Sequence, residues 1–413
     1  MFAFIARQPI LDREKKVFAY ELLFRDGKTN CYPDVVRDEV TSKLIAKNHL
    51  TLGLDEISCN KKTFINFQSE TLFNGFPSSL DPENVVIELV EGTFSHDDLL
   101  GICKQVKKLG YKLALEDYRL DPKSKAFLPY VDIVKVNTLR SNCDTIAQSV
   151  HRYLDANVQL IAEKVETQQD FANYRDMGFD YFQGYFFARP ESVTKKNLPT
   201  SKLTLLDLMG VSSSASFDVD DINTVIERDV GLSYMLLRFI NNPTINKRYK
   251  ITSLKHALNY MGEVEIKKFI ALLALANLSD NKPIELLHLS MVRAKFCDLV
   301  ATEKGIGNNP PTGFLVGLFS LLDALLDQDM RSLLDQMPLV DDVKGALLGE
   351  QNNLSLYLVL VRAFESGSWL KVIRIAGTLE VDQKRLHSLF NEAIVWGNSV
   401  CKSVSPYFPE KIA

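Results

Sequence analysis

The sequence predicts an α/β plus all-α chain, a TIM-like (β/α) barrel followed by a helical domain. Three observations carry that expectation. Short β-branched runs alternate with amphipathic segments up to about residue 190, a polar stretch with two prolines follows, and helical spacing of apolar residues prevails from about residue 204. At 413 residues the chain is also too long for one ordinary core.

The strand-like runs come in order as "FAYELLFR", "KTFINF", "NVVIELVE", "YKLALED", "VDIVKVN", "VQLIAEKV" and "YFQGYFF". Between them lie stretches such as "SHDDLLGICKQVKKLG", in which Ser95 suits a helix cap and Gly110 a helix end. Strand–helix–strand repetition implies a parallel sheet, and this many units implies a barrel. The stretch "FARPESVTKKNLPTSK" then breaks the pattern. Beyond it, "DINTVIERDVGLSYMLLRFINN" and "SLKHALNYMGEVEIKKFIALLALANL" carry helical periodicity, with Gly, Asn and Pro between such segments. The expected division is a barrel domain over 1–190, a linker over 191–203 and a helical domain over 204–413.

Composition excludes several classes. Lys+Arg 48 against Asp+Glu 52 gives a formal net charge of −4, so no general affinity for nucleic acid or anionic membrane is expected. Any anionic ligand must be held by placed residues. The six cysteines are scattered without a CxxC pair, which fits reduced thiols that pack rather than a disulfide frame or zinc site. The start, "MFAFIARQPILDREKK", lacks a basic region followed by a long apolar one, and "GFLVGLFSLLDALL" falls short of the roughly 20 residues that span a bilayer. A cytoplasmic protein is expected.

In a barrel, functional groups gather at the C-terminal ends of strands, where the loops converge on one open face. Reading each run to its end yields Glu21, Asn66, Glu88, Glu116 with Asp117, Lys135, Glu163 and Gln183. Carboxylates crowded on one face repel each other and resist ionisation unless a cation compensates them. Oxygen-rich sets of this kind suit Mg²⁺ or Mn²⁺, and a pair of such ions activates a water and stabilises the leaving oxygen of a phosphodiester. Lys135 would orient that water or neutralise charge.

At this point the chain resembles a known family. "ARQPILDREKKVFAYELLFRDG" is similar to the opening of an EAL domain, the cyclic di-GMP phosphodiesterase family, with "ELL" where "EAL" would stand. "FINF", "ELVEG", "LALEDY", "DIVKVN", "AEKVET" and "FQGYFFARP" follow in the family's order, so the resemblance covers 1–190. It implies metal-ligand positions at Glu21, Asn66, Glu88, Glu116, Asp117 and Glu163. Lys135 would take the water-orienting position, with Glu163 and Gln183 beside it in the catalytic set. Arg25, Glu21 and Gln8 would bind the nucleotide, the planar fork of Arg25 holding a phosphate. Glu91 would support the loop after the fourth strand. The cofactor implied is Mg or Mn, as many as two ions.

The chain also departs from the family. Glu116-Asp117 replaces Asp-Asp, adding a methylene to a carboxylate expected to bridge metals whose geometry is strict. "RLDPKSKAFL" replaces a glycine-rich loop, "KVN" lacks an aspartate after the lysine, and Lys164 stands where the family has glycine.

From about 204 to 400 the chain resembles the HDOD domain, a relative of the HD phosphohydrolases that lacks their metal site. "GLFSLLDALL" carries Ser320 and Leu321 where an HD enzyme has His-Asp, and Asp323 reads as a helix-surface or hydrogen-bonding residue. His256, His288 and His387 read as packing or surface residues. No cofactor is expected in this half; a protein partner or self-association, including a homodimer, is.

The sequence-based reading is a cyclic di-GMP signalling protein. A receptor with weak or lost hydrolysis is slightly preferred, because of the altered loop. The alternatives are a metal-dependent phosphodiesterase producing pGpG and a nucleotide-independent scaffold. Motility or biofilm output follows from the resemblance only.

Overall fold

The structure, a computed structural model, describes residues 4–25, 51–67, 80–90, 96–116, 127–140, 143–189, 226, 230–246, 250–278, 282–306 and 309–404. The chain divides into two compact units, with the boundary between Phe187 and Ala188. The expected linker, 191–203, lies outside the described residues.

The first unit is a closed barrel of β1 (Phe4–Leu11), β2 (Val17–Arg25), β3 (Lys62–Phe67), β4 (Val85–Val90), β5 (Lys112–Glu116), β6 (Ile133–Asn137), β7 (Gln159–Glu163) and β8 (Tyr181–Gln183). Helices α1 (Thr51–Ser58), α2 (His96–Lys108), α3 (Cys143–Asp155) and α4 (Gln168–Asp176) alternate with the later strands. Thr167 caps α4 in a reciprocal box: its hydroxyl accepts from the Asp170 amide, and the Asp170 carboxylate accepts from the Thr167 amide.

One feature corrects the expectation of a purely parallel sheet. Strand β1 runs antiparallel to both β2 and β8, while β2 through β8 are parallel in sequence order. The cause is local. Asp12 accepts from the amides of Glu14 (2.9 Å) and Lys16 (2.8 Å), and Lys15 adopts φ 60°, closing a tight turn between β1 and β2. So short a connection joins only antiparallel strands, whereas parallel ones need a crossover.

Inside the barrel, Ile10, Ala19, Phe64, Val86, Ala114, Ile133 and Ile161 form one fully buried apolar cluster, with Tyr181 packed against it. Strands β1 to β7 supply one member each, and β8 supplies Tyr181. Because side chains alternate along a strand, the residue two positions further toward the open end points into the same interior. That rule generates the site described below.

Among the described residues, the helices of the second unit are α5 (Val230–Ile240), α6 (Leu254–Leu278), α7 (Ile284–Glu303), α8 (Thr312–Phe319), α9 (Leu322–Leu326), α10 (Met330–Asp335), α11 (Asp341–Leu347), α12 (Asn353–Glu365), α13 (Trp369–Leu379) and α14 (Gln383–Val404). Helix α7 is the central element and packs on α8 and α14. It is buried nearly all round, including the polar Glu285, His288, Arg293 and Asp298. Its Phe296 meets Phe364 of α12 and Phe390 of α14 edge-on, with centroids 5.3 and 5.4 Å away. Lys268 of α6 pairs with Asp298 at 2.8 Å. Burial opposes the charge of Lys268, but Asp298 and Glu265 beside it hold its pKa above the ordinary value.

His288 and His387 are packed inside the helical unit, whereas His256 is exposed. His288 shares a 2.8 Å hydrogen bond with Asn398 and lies 3.5 Å from Glu285, and His387 packs edge-on against Phe364. Burial raises the pKa of Asp323 above its ordinary value, against the Ala324 amide that stabilises its ionised form. Cys59, Cys103, Cys297 and Cys401 form no disulfide, and burial pushes the Cys103 thiol up to about 12. No helix among the described residues is long and apolar enough to cross a membrane.

Candidate functional site

Two residues beyond each member of the apolar cluster stands a polar one. Ala19 leads to Glu21, Phe64 to Asn66, Val86 to Glu88, Ala114 to Glu116, Ile133 to Lys135, Ile161 to Glu163 and Tyr181 to Gln183. On β1, which runs the other way, the step from Ile10 goes backward to Gln8. Period-2 alternation on a closed barrel therefore gathers these side chains into a single layer above the plug.

Lys135 lies at its centre. Its fully buried ammonium donates to Glu21 Oε2 (2.9 Å) and Glu88 Oε1 (2.5 Å), and pairs with Glu163 Oε1 at 2.7 Å. Gln183 Nε2 donates to Glu21 Oε2 (2.6 Å) and to Gln8 Oε1 (3.0 Å), while Asn66 Nδ2 donates to Glu21 Oε1 (3.3 Å). Both oxygens of Glu21 are thus held. Glu116, at the end of β5 and half-buried, pairs in register with Lys135 and acts electrostatically on both Lys135 and Glu88.

Burial opposes the ionisation of Glu21, but Lys135 and the hydrogen bonds from Gln183, Lys135 and Asn66 outweigh it and lower its pKa. Glu88 goes the other way. Burial pushes it well above the carboxylate range; Lys135 pulls against this, and Glu21, Glu116 and Glu163 push further. For Lys135, burial opposes the charge, yet Glu163, Glu21, Glu88 and Glu116 together raise its pKa well above the ordinary value.

The donor set fits a hard divalent cation. Glu21, Glu88 and Glu163 each offer an oxygen, all within 4.8 Å of one another. Three carboxylates outnumber the one ammonium, and Glu88 Oε2 and Asn66 Oδ1 are buried without a hydrogen-bond partner among the described residues. Unsatisfied buried oxygens beside surplus negative charge are what an oxygen-coordinated ion relieves.

The structure thus brings together Glu21, Asn66, Glu88, Lys135, Glu163, Gln183 and Gln8, with Glu116 at the margin. Arg25 ends β2, paired with Phe4, but its side chain lies outside the described residues, as do Asp117, Glu91 and the loop over 118–126. Asn137, where the family carries an aspartate, turns its Oδ1 to the Leu139 amide at 3.1 Å and shapes the turn after β6.

One contributor was not legible in the sequence, and a second was marked there only as a departure from the family's glycine. Thr138 donates its hydroxyl to the Glu163 carbonyl at 2.8 Å, tying the end of β7 to β6. Lys164 adopts φ 57°, the left-handed region that a glycine would occupy without strain. Replacing Lys164 by glycine is expected to stabilise the protein by about 0.5–1 kcal/mol, the strain relieved minus the entropy a glycine adds to the unfolded chain. A shift of the urea midpoint to higher concentration at constant slope would show it; an unchanged or lower midpoint would mean that Lys164 makes compensating contacts.

Fold and site together define a barrel with an acid-rich strand-end site joined to a helical domain. The EAL domain family model matches residues 4–190, and that of the HDOD domain matches residues 198–327. The chain is 35% identical over 400 residues to the cyclic di-GMP phosphodiesterase CdgJ of Vibrio cholerae, covering 96% of this chain and 93% of that one. It is 33% identical over 404 residues to YuxH of Bacillus subtilis, covering 96% and 98%. Among solved structures, the manganese and cyclic di-GMP complex of Klebsiella pneumoniae BlrP1 is similar over 44% of this chain and 54% of that one, with 21% identity and a TM-score of 0.36. The chain belongs to the EAL–HDOD family, in which an EAL barrel precedes an HDOD domain.

Proposed function

We propose that this chain is a cyclic di-GMP signalling protein whose barrel domain binds the dinucleotide and hydrolyses one of its two phosphodiesters to give linear pGpG. What carries the reading is the convergence of Glu21, Asn66, Glu88, Lys135, Glu163 and Gln183 on one buried layer. Retaining so many polar groups in one interior is costly unless they are used. The phosphodiesterase CdgJ, similar over nearly the whole chain, supports the same reading.

Glu21, Asn66, Glu88 and Glu163, with Glu116 and Asp117, would hold one or two divalent ions, magnesium or manganese. When bound, such ions activate a water and stabilise the leaving oxygen at phosphorus. The water oxygen forms a bond to one phosphorus, the bond from that phosphorus to the 3′ oxygen breaks, and the leaving oxygen takes a proton. Gln183 and Asn66 fix the carboxylate of Glu21 by donating to its two oxygens. Lys135 neutralises charge and donates hydrogen bonds, a role suited to orienting the water. Arg25 and Gln8 are assigned to the nucleotide, with the fork of Arg25 on a phosphate.

The domain plan that goes with this reading is a barrel over 1–190, a linker over 191–203 and a helical domain over 204–413 that relays the nucleotide state to a protein partner or a second copy. Relay requires that the ligand bind two arrangements with different affinity.

A receptor without turnover is the second reading. It is favoured by the longer Glu116 in place of aspartate and by the strained Lys164 beside Glu163. The deciding experiment incubates purified protein with cyclic di-GMP and Mg²⁺ or Mn²⁺ and follows pGpG by chromatography. Product is expected, and Glu21→Ala should cut its rate by on the order of 100-fold or more, because it removes a metal position. Saturable binding without product would establish the receptor instead, and absence of both would leave an interaction scaffold.

A further inference from the structure

Lys164, the residue that follows Glu163 at the end of β7, is exposed and adopts φ 57°. Left-handed backbone is costly for a residue with a Cβ and persists only where its surroundings hold it. Here it is held from both sides. On the far side the Val165 amide donates to the Gln183 carbonyl at 3.0 Å, and the Val165 carbonyl accepts from the Phe186 amide at 3.2 Å. Gly184 permits this approach, since a Cβ there would lie 2.1 Å from the Val165 oxygen.

On the near side Thr138 closes the clamp. Its amide donates to the Glu163 carbonyl at 3.2 Å, and its hydroxyl donates to the same oxygen at 2.8 Å and reaches the Lys164 carbonyl at 3.3 Å. The carbonyls before and after the Lys164 Cα are therefore held by one side chain. Thr138 is itself presented by a fixed turn. Asn137, buried and paired in register with Glu163, accepts the Leu139 amide on its Oδ1 at 3.1 Å, and its carbonyl accepts from the Arg140 amide at 3.2 Å.

We propose that Thr138 is a positioning residue for Glu163: its hydroxyl balances the strain at Lys164 and so keeps the Glu163 carboxylate in reach of the ion that the strand-end layer would hold. This inference rests on the divalent-metal reading of that layer. Glu163 lies 2.7 Å from the Lys135 ammonium, and its oxygen belongs to a set with Glu21 and Glu88 that spans no more than 4.8 Å. Relaxation of Lys164 toward negative φ would turn the peptide between 163 and 164 and carry that carboxylate away from the set. Groups that hold a metal ligand in place commonly matter 10–100-fold to metal affinity. A glycine at 164 would occupy the left-handed region freely and need no clamp, so Thr138 and Lys164 form a matched pair.

The test titrates Mn²⁺ into the full chain without nucleotide and follows free Mn²⁺ by electron paramagnetic resonance, which reads binding rather than turnover. Saturable binding that Glu21→Ala abolishes identifies the ion of the barrel. Thr138→Val, close in shape but without the hydroxyl, should weaken that binding by about tenfold or more, and Thr138→Ser should keep it within about twofold of the parent. In a Lys164→Gly background the valine substitution should cost less than about threefold, because the strain it would release is gone. Thr138→Ala takes the place of the valine variant if that one does not fold. A threonine with a merely structural role would lower the melting temperature on substitution and leave the Mn²⁺ affinity of the folded chain unchanged. That result, a serine variant as weak as the valine one, or an undiminished loss in the Lys164→Gly background would each overturn the proposal with the metal reading intact. Absence of saturable binding by the parent, or binding that survives Glu21→Ala, would overturn the metal reading and this inference with it.

Discussion

Lys135→Met is expected to lower the stability of the barrel by about 3–5 kcal/mol in metal-free buffer at neutral pH, the usual cost of removing one partner from a buried charge cluster. For a unit of this size the melting temperature should fall by roughly 6–20 °C. The ammonium faces Glu21, Glu88 and Glu163 at 2.5–2.9 Å, and all four groups are buried. Methionine fills much of the same space, so the loss reports charge rather than a cavity. The pH dependence has a definite sign. Without the ammonium the carboxylates can only be accommodated by taking up protons, which raises their folded-state pKa above the unfolded value. Stability of that kind is present below the unfolded value and is lost as pH rises through the folded one. The variant's deficit should therefore shrink toward pH 5 and grow toward pH 8. Added Mn²⁺ should recover part of it by supplying the missing positive charge. Unfolding followed by circular dichroism with chelator and with Mn²⁺ tests all three statements. A variant as stable as the parent at pH 8 in chelator would show that the carboxylates do not depend on Lys135.

The second large effect is expected in the helical unit. Gly317 sits in α8 where it crosses α7, and a Cβ there would lie 2.3 Å from the Arg293 carbonyl oxygen and 2.6 Å from the Ala294 nitrogen. Both obstacles are backbone in the middle of the central helix, so no side chain can rotate away. Gly317→Ala must push α8 off α7 and open the contacts of Phe314, Leu315 and Leu318, all buried. Overpacking of this kind costs about 3 kcal/mol or more, equivalent to roughly 6–12 °C in melting temperature. Differential scanning calorimetry would record it. A change below a degree or two would mean that the two helices are not held at this distance in solution.

Most of the barrel site was legible because its periodicity is short. Apolar runs that end on Glu21, Asn66, Glu88, Lys135, Glu163 and Gln183 mark strand ends on one face, and that logic holds with no knowledge of which side chains touch. Gln8 illustrates its limit. It lies before its apolar partner Ile10 rather than after it, and joins the layer only because β1 is antiparallel, a consequence of a turn built by Asp12 and Lys15. Thr138 was illegible for a similar reason, since it works through the backbone of a strand neighbour.

By itself, then, the sequence determined the alternation of strands and helices, the change to an all-helical second half, and the acids and amides that a barrel would collect at one end. Those follow from local spacing. Only the tertiary structure decided that Lys135 stands between three carboxylates, and that Glu21 and Glu88, whose ionisation burial opposes in both, end on opposite sides of the ordinary value because Lys135 and hydrogen bonds outweigh burial at Glu21 and not at Glu88. Each of these depends on distances between residues far apart in the chain, and electrostatic and desolvation energies are set by such distances, which no residue spacing along a sequence contains.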